Sequence, residues 1–507
     1  MIATYLHRPA ALFLLAWSAS FARAAVTLPR ILSSHMVLQR DRPIHIWGWS
    51  EPNEKVSATL HRASQSTTAD SLGRWSVYLP PQPAGGPFQL TVTGTNKIIL
   101  DDILIGDVWF ASGQSNMEMP LEGFPGSAVV KNAAQEIGTA NQPGIRLLLV
   151  QRKASPFPLA DLGSDRSWTV CAPEMATKFS AVAYFFGREI ASREHVPIGL
   201  IDSTWGGTPA EAWTSLEGLS SDASLMPVFS ARAQMIREQT NAGLVAAAEK
   251  REDATARSTN APLPKHPWHP DPQSWAPSWL FNAMVSPATG YAIKGVIWYQ
   301  GEANTGLARA PLYERLFPAL IADWRKHWHE GNFPFLFVQI SSFAASPSEN
   351  WPAVREAQRR SLGVVNSAMA VTIDVGDPGN VHPSDKQTVG SRLALAARAL
   401  AYHENIEYSG PIFRQTSSEE GAIRVWFDHA ADGLMAKGGA LQGFEIAGDD
   451  RHFMAANARV DGVSVIVSNP QQTRPKYVRY GWKNAPVVNL CNSAGLPASP
   501  FTSEDSD

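Results

Sequence analysis

The chain has 507 residues, a length that suggests about three domains, and its 44% hydrophobic and 18% charged content is that of a folded protein rather than a disordered one. Its 43 basic side chains are outnumbered by 46 acidic ones, so no cationic surface is expected to neutralise phosphates, and nucleic acid is not an expected partner. Two cysteines exclude a disulfide scaffold and a cysteine-rich zinc module, and 17 tryptophans suit a large core or flat stacking platforms.

Residues 1–24 carry Arg8, an apolar run from Ala10 to Trp17 and the small-x-small tripeptide Ala22-Arg23-Ala24. The run is shorter than the roughly 20 residues needed to span a bilayer. It reads as a secretory signal peptide cleaved after Ala24, which makes the mature chain secreted or periplasmic, with no membrane span. Cys171 and Cys491 are far apart in sequence, and whether they pair is left open.

From 25 to 105 the pattern is short and alternating, as in IHIWGW, VSATL, RWSVYLP and FQLTVTG, with turn signals between the runs. This predicts an N-terminal β-sandwich. From 106 to 403, apolar runs such as IRLLLV, IGLIDS, GVIWYQ, FLFVQI and AMAVTID alternate with helical stretches over 180–194 and 387–402. The expected fold class is therefore α/β, a parallel sheet flanked by helices. An insertion at about 216–275 interrupts it, helical and Ala-rich at first and then Pro-rich. His266 and His269 within it have a metal-like spacing but no acidic or cysteine neighbours, and they read as a solvated loop. From 404 to 507 the chain is again β-rich, with IRVWF, FEIAG and GVSVIVS.

The strongest chemical signal is GDVWFASGQSNM, residues 106–117. A buried strand ending in Gly-Gln-Ser places Ser115 at the carboxyl edge of a parallel sheet, where such sheets bind ligands. A helix starting there aims free N–H groups at the same spot. The spacing is not Gly-x-Ser-x-Gly, so the nucleophile elbow of the α/β-hydrolases does not fit. His382 lies in IDVGDPGNVHPSDK, after another strand and before a helix, within reach of Ser115 as a base. STWGGTP and WYQGEAN end two further strands. Paired glycines let backbone N–H groups approach a substrate, and Gln300 offers an amide donor. With the Ser115 N–H these would form a three-donor oxyanion hole.

GDVWFASGQSNMEMPL, GLIDSTWGGTPAEAW, GVIWYQGEANTG, WPAVREAQ and VHPSDKQTVGSRLAL resemble the sialate O-acetylesterases, within the wider Ser-Gly-Asn-His hydrolases. HMVLQRDRPIHIWGW near the start and YGWKNAPVVNLCNSAGLPASPF near the end are similar to the same family. The resemblance covers nearly the whole mature chain, with the insertion poorly matched. It implies an SGNH-hydrolase-like α/β fold that deacetylates O-acetylated carbohydrates without a cofactor or metal. Ser115 would be the nucleophile, His382 the base, and Gly207 with Gln300 oxyanion donors beside Ser115. Gln114, Asn116, Glu302 and Asn304, on the same motifs, are candidates for substrate binding.

One departure matters. In such hydrolases the triad Asp commonly stands three residues before the His, a position held here by Gly379. Asp377, in the turn, is the favoured replacement, with Asp374 as the alternative. A sialic acid carboxylate calls for a bidentate Arg, for which Arg325 and Arg355 are the candidates. The same chemistry also fits an acetyl xylan or other plant-polysaccharide esterase. A catalytically inactive carbohydrate-binding protein is the reading from another class.

Overall fold

The computed structural model describes residues 25–163, 167–238, 242–264 and 270–504. The segment 1–24, read as a cleaved leader, lies outside these residues, as do His266 and His269 of the insertion.

Several N-terminal strands bury every second residue, as their sequence alternates. β2 (Ile44–Trp49) turns Ile44 and Ile46 inward and pairs antiparallel with β5 (Arg74–Leu79), which turns in Trp75, Val77 and Leu79. The second layer consists of β3 (Lys55–Leu60), β4 (Ala63–Thr68), β6 (Gly85–Thr93) and the first part of β7 (Lys97–Gly113). β3 runs antiparallel to β4 and β6, and β6 antiparallel to β7, while β1 (Val37–Gln39) lies parallel on β7.

β7 changes character along its 17 residues. Lys97–Asp102 alternate between exposed and half-buried, whereas every residue from Ile103 to Gly113 is buried. The first part edges the N-terminal layer. The second is the middle of the parallel sheet, covered on both faces, which is why its sequence turns from alternating to continuously apolar. The expected domain boundary at 105/106 falls inside this strand.

Around β7 the order is β13 (Ser367–Ala370), β12 (Phe335–Val338), β11 (Gly295–Tyr299), β7, β10 (Ile198–Thr204), β8 (Gln142–Leu149) and β9 (Thr169–Cys171). All neighbours are parallel except β8 and β9, so this is a mixed sheet, continuous with the N-terminal layer to a total of 11 strands. β10, β11 and β12 are buried at every residue. The helices Ala181–Glu194 and Lys386–Leu400 pack together, as do Tyr313–Trp328 and Trp351–Arg360. The helix Lys386–Leu400 starts where Asp385 accepts the N–H of Thr388 at 3.0 Å, an N-cap that fixes the position of the loop before it.

Beyond residue 411 two four-stranded antiparallel sheets enclose a second core of Val425, Val465, Ile446, Tyr480 and Phe501. Cys171 belongs to the main core, and Cys171 and Cys491 are both buried free thiols. Among the described residues no helix is long and apolar enough to cross a membrane.

Candidate active site

Three strands end level with one another. Gly113 of β7 pairs with Thr204 of β10 on one side and with Tyr299 of β11 on the other. The segments that follow each of them therefore meet at one edge. Gly113 adopts φ +136°, and a Cβ there would stand 2.1 Å from the Tyr299 carbonyl oxygen. Only glycine lets the strands close this tightly before the chain turns into the short helix Ser115–Glu118.

At that edge His382 Nε2 lies 2.8 Å from Ser115 Oγ, although 267 residues separate them. The His382 loop is held locally, with the His382 N–H donating to Asn380 Oδ1 at 2.9 Å and the ring packed edge-on against Phe124 at 5.1 Å. Burial, seconded by the positive charge of Lys386, lowers the imidazole to about 4. The ring is thus neutral at physiological pH and able to accept the serine proton.

Both residues open onto a cavity of about 970 Å³ lined by Trp205, Trp275, Phe343 and Trp351 and by Gln114, Gly206, Gly207 and Glu302. Among the described residues the N–H groups of Ser115 and Gly207 donate to nothing, and Gly207 sits at φ +71°. Gln114 Oε1 accepts the N–H groups of Gly301 and Ala303, at 3.4 and 3.1 Å. Its oxygen is thereby committed to the turn after β11, which leaves the amide –NH₂ as the unspent end of a side chain that lines the cavity. At the rim Arg152 is ion-paired with Glu118, and Arg309 with Glu211 while lying 4.4 Å from the centre of the Trp275 ring. Burial raises the Glu118 carboxyl, against the pull of Arg152 and the Gly206 N–H.

Several expected roles do not survive this geometry. Gln300 is fully buried, and its amide donates to Thr208 O at 3.2 Å and Asn304 Oδ1 at 2.7 Å, while its oxygen accepts the Tyr313 hydroxyl at 2.9 Å. It braces the turn after β11 and has no N–H left for an oxyanion. Asn304 is likewise spent, accepting the Ala210 N–H and donating to Glu211. Arg325 points to the carbonyls of Phe333, Val365 and Asn366, and Arg355 to those of Ile340, Ser341, Lys483 and Asn484. Both are buried structural clamps outside the cavity wall, lowered by burial to about 10 and about 9. Asp377 is exposed and accepts the Gly379 N–H at 2.8 Å, and Asp374 is clamped by Arg392. Neither is hydrogen-bonded to the imidazole. Asn116 is buried beside Ser115 and donates to Glu302 Oε1 and Val381 O. Of the substrate-binding candidates, Gln114 and Glu302 line the cavity.

Sequence reasoning missed Lys386, Arg152 and the rim aromatics. Lys386 had a signal only in that it opens the helix that follows the His382 loop. Arg152 had none, because only the fold brings the end of β8 to this rim.

The family model described as carbohydrate esterase, sialic acid-specific acetylesterase matches residues 266–399. The chain is similar to the sialate O-acetylesterase of Mus musculus, 32% identical over 93% of each chain, and to that of Rattus norvegicus, 34% identical over 98% of each. Among solved structures it is similar to a novel carbohydrate acetylesterase from Xanthomonas citri, with 36% identity and a TM-score of 0.81, covering 95% of this chain and 100% of the other. On this breadth of likeness the chain belongs to the sialate O-acetylesterase family of carboxylic ester hydrolases.

Proposed function

We propose that this protein is an exported carbohydrate O-acetylesterase of SGNH-hydrolase type, with a leader cleaved after Ala24, working through a serine nucleophile and an acetyl-enzyme. The observation that carries this reading is the 2.8 Å contact between Ser115 Oγ and His382 Nε2 on an open, aromatic-walled cavity. His382 takes the hydroxyl proton as Ser115 attacks the acetyl carbonyl. The N–H groups of Ser115 and Gly207, with the Gln114 amide as third donor, receive the oxyanion. His382 then protonates the departing sugar oxygen, and water, activated by the same imidazole, releases acetate. The flat walls of Trp205 and Trp275 suit the apolar face of a sugar ring.

Which sugar carries the acetyl group has two readings. O-acetylated sialic acid is the family's own. An O-acetylated neutral sugar, such as a xylan unit, is favoured by the rim charges, because Arg152 and Arg309 are each already paired with a glutamate. An inactive binding protein would have no use for an aligned serine and imidazole. The test is release of acetate from a chromogenic acetyl ester by wild type and Ser115→Ala, followed by a panel of acetylated sialic acid and acetylated xylan. Loss of turnover by several orders of magnitude in Ser115→Ala is expected. A variant that kept more than a few per cent of activity would overturn the mechanism.

A further inference from the structure

Next to the catalytic pair lies a chain of three polar side chains that the reaction as written does not use. Lys386, in the first turn of the helix Lys386–Leu400, is 1% exposed, and its Nζ donates to Asn116 Oδ1 at 2.5 Å. The Asn116 amide donates in turn to Glu302 Oε1 at 2.6 Å and to the Val381 carbonyl at 2.9 Å. The ammonium also stands 5.7 Å from the centre of the Tyr299 ring. Every anchor adjoins the chemistry. Asn116 follows the nucleophile, Val381 precedes the base, and Tyr299 and Glu302 flank the turn that Gln114 holds.

Taking an ammonium and a carboxylate out of water is costly, and apolar side chains of like size would often fill the same space more stably. What apolar side chains cannot do is join the loops after β7, β11 and β13 at one point. On the reading of Ser115 and His382 as the catalytic pair, we infer that Lys386 is a positioning residue: acting through Asn116, it locks the Val381 carbonyl, and hence the His382 backbone, against Ser115. This is the orienting task that a carboxylate on Nδ1 performs in a Ser-His-Asp triad. Here the nearby carboxylates are spent elsewhere, Asp377 on Gly379 and Asp374 on Arg392.

The charged groups on the elements packed about this corner are Glu118 on the helix after β7, Lys131 against Asp385, Arg152 beyond β8, Glu302 and Arg309 after β11, Glu349 ahead of the helix Trp351–Arg360, and Asp377, Asp385 and Lys386 on the loop and helix that carry His382. Of these, the Lys386 charge disfavours the charged form of the imidazole, second to burial. Burial pushes Lys386 itself down to about 7 against the pull of Glu302, so it is an ammonium in the acidic range where the base is titrated.

The experiment compares Lys386→Met, which loses donor and charge, with Lys386→Gln, which keeps a donor for Asn116 but no charge. It uses the full chain and measures kcat and KM on a chromogenic acetyl ester, capture of Ser115 by a fluorophosphonate, and thermal melts. In Lys386→Met, kcat and capture should fall about 100-fold at little-changed KM, the cost of roughly 1 Å of misplacement. Lys386→Gln should recover about tenfold of the capture rate through its donor. In both, the acidic limb of kcat/KM should move to higher pH, since the charge that opposed protonation is gone. A lowered melting temperature with wild-type capture, or an acidic limb unmoved in both variants, would overturn the inference. Should Lys386→Met fail to fold, Lys386→Gln decides: capture about tenfold below wild type with a moved limb supports the inference, and wild-type capture overturns it. Wild type that is never captured at Ser115 would instead overturn the catalytic pair itself.

Discussion

Replacing Gly113 by alanine tests whether the closure of β7 on β11 aligns Ser115, the proposed nucleophile. The added Cβ would meet three backbone atoms of Tyr299, the carbonyl oxygen at 2.1 Å, its carbon at 2.7 Å and the amide nitrogen at 3.0 Å. Real Cβ contacts do not fall below 3.0 Å, so the strands must part by about 0.9 Å at this last rung. At φ +136° the alanine adds backbone strain of about 1–3 kcal/mol. Ser115 lies two residues beyond one side of the rung, and the turn held by Gln114 begins just beyond the other. A displacement near 1 Å there costs roughly 100-fold in turnover. We expect kcat on a chromogenic acetyl ester to fall by about that factor and the melting temperature to drop by several degrees. Gly138→Ala is the control, since a Cβ there meets nothing within 4 Å. If Gly113→Ala behaved like Gly138→Ala in both measurements, the strand end would not be what aligns the serine.

Four further outcomes follow from the site. Because burial and Lys386 lower His382 from 6.5 to about 4, kcat/KM should hold from neutrality to about pH 5 and break near 4; a pH–rate profile breaking near 6.5 would refute it. The unfolded chain binds that proton near 6.5 and the folded one only near 4, so this group's share of stability is present above 6.5 and is lost as pH falls through that window, which melts at graded pH would record. Asp377→Asn should leave turnover within about threefold of wild type, because its carboxylate serves the Gly379 N–H and not the imidazole, against the 10⁴-fold loss of a true triad aspartate. Asp374→Asn should lower the melting temperature through the weakened Arg392 clamp and leave kcat largely intact.

What could be read before folding was whatever a strand and the few residues after it contain. The buried run VWFAS, closed by Gly-Gln-Ser, placed Ser115, and AMAVTID followed by a loop and a helix placed His382, because carboxyl ends of parallel strands share an edge. The readings of Gln300, Arg325 and Arg355 depended instead on which way a side chain turns and on what other segments bring to it. A glutamine at a strand end looks alike whether its amide faces a cavity or Thr208 and Asn304. An arginine bound to four carbonyls from two parts of the chain, as Arg355 is, has no local signature. Asp377 sat at a plausible distance in sequence, but a carboxylate two residues before a glycine satisfies that glycine's N–H first, as an Asx turn does.

The length of β7 bears on how such a protein can be recombined. One uninterrupted strand is both an edge of the N-terminal layer and the central strand of the sheet that carries the serine. An exchange of N-terminal modules at residue 105 would cut a backbone whose hydrogen bonds to β6 and β10 are made within a few residues of each other, and the incoming half would have to reproduce register as well as sequence. Grafts that respect the molecule must take everything up to Gly113 as one inherited unit. The short connection between the helix Lys386–Leu400 and the strand starting at Ile412 is the gentler seam for building chimaeras.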